Sequence, residues 1–79
     1  MTAESDDLNN VSDGLAIYHW NIQTANTPHT ENITIASTGI VFSYLESAAW
    51  AVQFGMIPVD KKWYVRVKST GEWRKWEAI

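Results

Sequence analysis

Residues 62–79, KWYVRVKSTGEWRKWEAI, decide the fold. Over Lys62–Lys68 the side chains alternate, with Trp63, Val65 and Val67 on one side and Lys62, Tyr64, Arg66 and Lys68 on the other, which is the two-residue period of a strand. Ser69-Thr70-Gly71 supplies turn chemistry, and Glu72–Ala78 returns. Trp73 and Trp76 are three residues apart, a spacing that cannot keep both on one face of a regular strand, so a bulge or an irregular end is expected there. The apolar side is expected to face the core and the basic side to be solvated.

Upstream, Leu15–Trp20 alternates in the same way, with Leu15, Ile17 and His19 opposed to Ala16, Tyr18 and Trp20. Residues 23–32 are polar and contain Pro28, and they read as a long loop of the kind that reaches a ligand or a neighbouring subunit. Ile33–Ala36 is a short strand candidate, joined through Ser37-Thr38-Gly39 to the apolar run Ile40–Leu45 as a hairpin. Residues 45–57 fit two periods. Leu45, Ala49, Val52 and Met56 share a helical face behind a Ser43/Glu46 capping box, whereas Trp50, Val52, Phe54 and Met56 share a strand face. Gly55 and Pro58 favour the strand. Residues 1–13 offer only Leu8 and Val11 for burial and read as a polar lead-in from a longer parent chain. Gly14 then opens a domain over 14–79. The expected class is mostly β, a small antiparallel β-sandwich or barrel-like meander.

The chain has 79 residues and no cysteine. A core of this size supplies only roughly 3–5 kcal/mol, and small domains usually add disulfides, a metal or partner subunits. Disulfides and thiolate metal sites are excluded, and His19 and His29 stand alone without a carboxylate pattern, so no metal or other cofactor is expected. Oligomerisation is the remaining stabiliser. The first ten residues are acidic and polar, unlike a secretory leader. No apolar run approaches the ~20 residues of a membrane-spanning helix.

All the basic residues, Lys61, Lys62, Arg66, Lys68, Arg74 and Lys75, fall in one stretch of a chain whose net charge is −3. Interleaved with aromatics, they admit three readings: a solvated face, a site for an anionic ligand such as phosphorylated or acidic sugars, or a nucleic-acid groove. The acidic balance of the first sixty residues argues against nucleic acid. Asp13, Glu31, Glu46 and Asp60 are scattered acids, and no nucleophile, base and orienting group recur in a catalytic arrangement, so the chain does not read as an enzyme.

The run Trp63-Tyr64-Val65-Arg66, the turn at Gly71, then Trp73-x-x-Trp76 and a final Ile79 resemble the close of the pyocin knob family. The order of Asp7-Leu8-Asn9, Gly14 with Ile17-Tyr18, Pro28 in a loop, Gly39-Ile40-Val41 and Gln53-Phe54 is similar as well. The resemblance implies a knob domain of phage or R-type pyocin tail fibres, set in a homotrimer. It implies contact with a bacterial surface glycan such as lipopolysaccharide, and a place in a virion tail fibre made in the host cytoplasm. It also implies that Trp63, Tyr64, Arg66, Trp73 and Trp76 are framework. Arg66 is then expected to pair with Asp60 or Glu72, or to stack on Trp73 or Trp76.

Sugar recognition needs aromatic planes for apolar sugar faces and polar groups for hydroxyls. Trp20, Tyr44 and Trp50 are candidate planes; His19, Asn26 and His29 are candidate polar groups. The competing reading places Trp50 in the core and Trp20 in a subunit interface. Two other functions remain open: a trimerisation or assembly cap that binds no receptor, and a carbohydrate-binding module appended to an enzyme.

Overall fold

Alternation over the basic stretch does produce a strand, and it is one of a series. The computed structural model describes residues 2–4, 7–59 and 61–79. Its strands are β1 (Thr2–Glu4), β2 (Gly14–Trp20), β3 (Gly39–Ser47), β4 (Trp50–Ile57), β5 (Lys62–Ser69), β6 (Glu72–Trp73) and β7 (Glu77–Ala78). There is no helix among the described residues. One sheet runs in the order β1-β2-β3-β4-β5-β6, with β7 also on β5. The pairs from β2 onward are antiparallel, a meander, and β1 lies parallel to β2 at the edge.

The two-period stretch is strand throughout. Ala48 and Ala49 turn the chain between Ser47 and Trp50, with an irregularity between Leu45 and Ser47 and the Ala49 N–H donated to Ser47 Oγ at 3.2 Å. At the other hairpin, Thr70 and Gly71 both have positive φ, 54° and 84°. This is the primed two-residue turn whose twist suits antiparallel strands. Lys68 opposes Trp73, whereas Tyr64 opposes Ala78, so the register slips by one residue between β6 and β7. That slip is the expected bulge, and it returns Trp76 to the side occupied by Trp73.

One face of the sheet is covered by the chain itself. Leu8, Tyr18, Trp20, Val41, Ile57, Tyr64 and Trp76 form the core there. The cover is not a second sheet but the connection over residues 21–38, folded into local turns. Thr27 and Thr30 exchange hydrogen bonds between side chain and backbone, Thr27 and Pro28 are fully buried, and Asn26 and Asn32 take φ of 63° and 62°. Asparagine tolerates that left-handed backbone better than most residues.

Four expectations change. Ile33–Ala36 is not a strand and forms no hairpin with Ile40–Leu45; Gly39–Leu45 of β3 pairs with β2 instead. The short segment is drawn into a local turn, with the Ala36 N–H donated to Thr34 Oγ1 at 3.1 Å, and Ile35 is left 96% exposed. The covered face of β5 is that of Tyr64 and Arg66, both buried, while Trp63 and Val67 look outward. Leu8, inside the stretch read as a polar lead-in, is completely buried and donates its N–H to Ala25 O at 3.1 Å. Trp20 is also completely buried, with the chain closed over it. A Cβ on Gly39, its cross-strand partner, would stand 2.7 Å from the indole ring and 2.8 Å from Met56 O.

Candidate functional site

On the covered face, Ala16, Ser43, Gln53 and Arg66 lie in one row across β2 to β5. Three of the four are polar, and Ser43, Gln53 and Arg66 are buried. Buried polar groups are stable only when hydrogen-bonded, and these bond to one another. Arg66 Nε donates to Gln53 Oε1 at 2.8 Å, and Gln53 Nε2 donates to Leu8 O at 2.8 Å and to Ser43 Oγ at 3.3 Å. The guanidinium stacks on two rings, 4.0 Å from the Trp73 centroid and 5.0 Å from that of Trp76. Burial lowers the Arg66 pKa to about 10, opposed by the charges of Glu31 and Asp7. It remains a cation at neutral pH.

The bulged segment after β6 makes a cleft beside this stack. Asn26, Glu31, Arg66, Trp73, Arg74 and Lys75 contribute to its lining, and its volume is about 460 Å³. Two walls are fixed by hydrogen bonds spanning the sequence. The Trp76 N–H donates to Glu31 Oε1 and its indole N–H to Asn26 O, each at 2.9 Å, and Asn26 Nδ2 donates to Asp7 Oδ1 at 2.7 Å. Arg66 Nη2 and Trp73 Nε1 are buried donors with no acceptor among the described residues.

The opposite face of the sheet is unlike this. Its cross-strand rows read Leu15, Tyr44, Val52, Val67; then Ile17, Phe42, Phe54, Val65; then His19, Ile40, Met56, Trp63. Every member except His19 is uncharged and apolar or aromatic. Phe42, Tyr44, Trp50, Phe54 and Trp63 are each between 37% and 48% exposed, and Leu15 is 78% exposed. Phe42 stacks on Trp63 with centroids 5.9 Å apart, and Tyr44 meets Trp50 edge-on at 6.2 Å. Charged residues gather at the rim, where Glu77 on β7 lies beside Val65.

The candidates read from the sequence therefore divide between the faces. Tyr44 and Trp50 are together on the apolar face, and His19 shares it, its Nε2 3.1 Å from Thr38 Oγ1. Trp20 is removed from the list, because a completely buried ring meets neither a receptor nor a subunit. Asn26 belongs to the cleft. His29 lies in the covering loop, half-buried, with Nδ1 unpartnered among the described residues. Of the motif residues, Tyr64, Arg66 and Trp76 are buried, Trp73 is a half-buried shelf for Arg66, and Trp63 lies on the apolar face. Asp60, one proposed partner of Arg66, lies outside the described residues. Phe42 and Phe54 escaped selection, because alternation alone marks them as core.

Among the described residues no three His, Asp or Glu side chains gather as metal ligands would, and no helix is long and apolar enough to cross a membrane. Comparisons of the chain with family models, curated proteins and solved structures found no match.

Proposed function

We propose that this chain is a receptor-binding tip module of the phage or pyocin fibre type, which joins copies of itself through the apolar sheet face. Its loop-and-cleft face is then turned to a bacterial surface glycan. The resemblance of the Trp63–Ile79 stretch and the division of labour between the two faces support this reading. It is a binding function, not catalysis.

The observation that carries it is the face built from Leu15, Tyr44, Val52, Val67, Ile17, Phe42, Phe54 and their neighbours. Five aromatic rings, each about two-fifths exposed, together with Leu15 and Val67 leave apolar area on the order of 600 Å². Single patches on monomers usually reach a few hundred Å², and a standard interface buries about 800 Å² on each partner. The face is poor in hydroxyl-binding groups, with His19, the Tyr44 hydroxyl and Glu77 at the β7 edge as its polar members, so it suits another apolar face. A second copy supplies one.

Light scattering on a sizing column, over a dilution series to low micromolar, tests the reading. The expected mass is that of three chains, falling to one folded chain in Phe54→Lys. A wild-type protein that stays monomeric at every concentration overturns the assembly half of the proposal.

A further inference from the structure

The cleft of the bulged segment lies on the side of the sheet opposite the open apolar face, and its chemistry points to a particular ligand. We infer that it is a subsite for the anionic group of an acidic saccharide, with Arg66, Trp73, Arg74 and Lys75 as the receiving groups and Asn26 and Glu31 as partners for the adjoining hydroxyls. The inference rests on the reading of the chain as a binding module and adds the class of ligand and its place.

Three observations carry it. First, Arg66 Nη2 and Trp73 Nε1 belong to residues that line the cleft, and both are donors without an acceptor among the described residues. A buried donor left unmade costs about 1–3 kcal/mol, so an acceptor that reached either of them as the cleft adjusted around it would recover that cost. Second, the chain carries a net charge of −3, yet all its Lys and Arg fall between residues 61 and 75, and the cleft walls hold Arg66, Arg74 and Lys75. Against these three cations the cleft lining holds two carboxylates, Glu31 and Glu72, a positive balance of one on an acidic protein, which favours an anion there. Third, the site is already built. Asn26 is held by Asp7 on one side and by the Trp76 indole on the other, and Glu31 Oε1 is engaged by the Trp76 N–H. The second carboxylate oxygen of Glu31 remains as an acceptor for a sugar hydroxyl.

The same geometry disfavours a neutral sugar held by stacking. One face of the Trp73 ring is covered by the Arg66 guanidinium at 4.0 Å, so that face is not open to stack on a sugar. A planar carboxylate or a phosphate matches a guanidinium edge beside a second N–H donor. A volume of about 460 Å³ accommodates a sugar residue with its substituent.

Isothermal titration of the 79-residue chain separates these ligands. The probes are a short oligogalacturonate, a neutral galacto-oligosaccharide of the same length, and mannose 6-phosphate. The oligogalacturonate, the sugar phosphate or both should bind, at least tenfold more tightly than the neutral sugar, with affinity falling as salt rises. Which of the two anions binds identifies carboxylate or phosphate as the natural group. Trp73→Phe keeps an aromatic ring under Arg66 while removing the N–H with the rest of the pyrrole ring; it should weaken binding about tenfold. The exposed pair Arg74→Gln/Lys75→Gln should weaken it by a similar factor and flatten the salt dependence. Equal binding of neutral and acidic probes, binding of neither anion, or unchanged affinity in both variants would overturn the inference. Light scattering on the same samples reports assembly independently, so a trimer that ignores acidic sugars sinks this site alone.

Discussion

The two faces of one sheet are both rich in apolar side chains, but only one is closed. The face that the chain covers with its own loop holds the core of Leu8, Tyr18, Trp20, Val41, Ile57, Tyr64 and Trp76 and, among them, a polar row of Ser43, Gln53 and Arg66. The open face is made of Phe, Tyr, Trp, Val, Ile, Leu and Met, with its aromatic rings left partly exposed, where a monomer's surface is ordinarily more polar. The covered face closes over a hydrogen-bonded polar row as well as apolar side chains, while the open face leaves its apolar area exposed, the area that the proposed self-association would bury.

The sharpest way to break this comparison is to place the same charge on each face. Val41→Lys puts an unpaired cation where the side chain is completely buried, and should cost roughly 4–5 kcal/mol, all that a domain this small possesses. Circular dichroism should show an unfolded chain. Phe54→Lys, directly across the open face, should leave the strand spectrum intact and change only the mass. If both unfold, the open face is part of the monomer's own core and the contrast fails.

Next in size is the polar row. Arg66→Met keeps much of the aliphatic stem over Trp73 and Trp76 but strips Gln53 Oε1 of its donor. A loss of about 1–3 kcal/mol in urea unfolding is expected. Gln53→Leu in the same chain removes the stranded acceptor but also the donor to Leu8 O and Ser43 Oγ, so it should not recover the loss. Gly39→Ala tests the tight packing of the covered face. Its Cβ meets both Trp20 and a backbone oxygen closer than real contacts allow, so about 1–3 kcal/mol should be lost, read as a lower urea midpoint. The smallest effect has the opposite sign. Thr70 is a β-branched residue at φ 54°, and Thr70→Asn should raise stability by about 0.5–1 kcal/mol without altering either face.

Alternation made β2 and β5 legible as strands, and the turn at Thr70-Gly71 and the slip before Trp76 followed from residue types and spacing. Which side of those strands the chain covers was not legible. A period of two assigns residues to faces but is silent about what lies over each, and Trp63-Val65-Val67 looks like core whether its cover is the same chain or another copy. The stacking of Arg66 on Trp73 and Trp76 was among the readings the sequence offered, but that it buries the guanidinium under the covering chain is a tertiary effect with no local signal. Leu8 was similarly hidden: one apolar residue among polar neighbours has no periodicity, and its burial rests on Ala25 and Gln53, distant in sequence. Ile33–Ala36 carried the composition of a strand, but Thr34 offered the backbone a nearer partner. In the cleft, Asn26 stood out as a polar loop residue, whereas the convergence of Glu31 with Trp76 required the fold.

The hydrogen bonds that join Leu8 to Gln53 and Asn26 to Trp76 also set the order of events in the cell. Contacts between residues so far apart in the chain close late and slowly, because long loops must be ordered before any of them forms. The covering loop cannot be locked down until Trp76 has been synthesised, and until then both faces of the growing meander are open. Completion of the domain therefore waits for residue 76, and its rate competes with the clumping of half-made chains through the same aromatic surface.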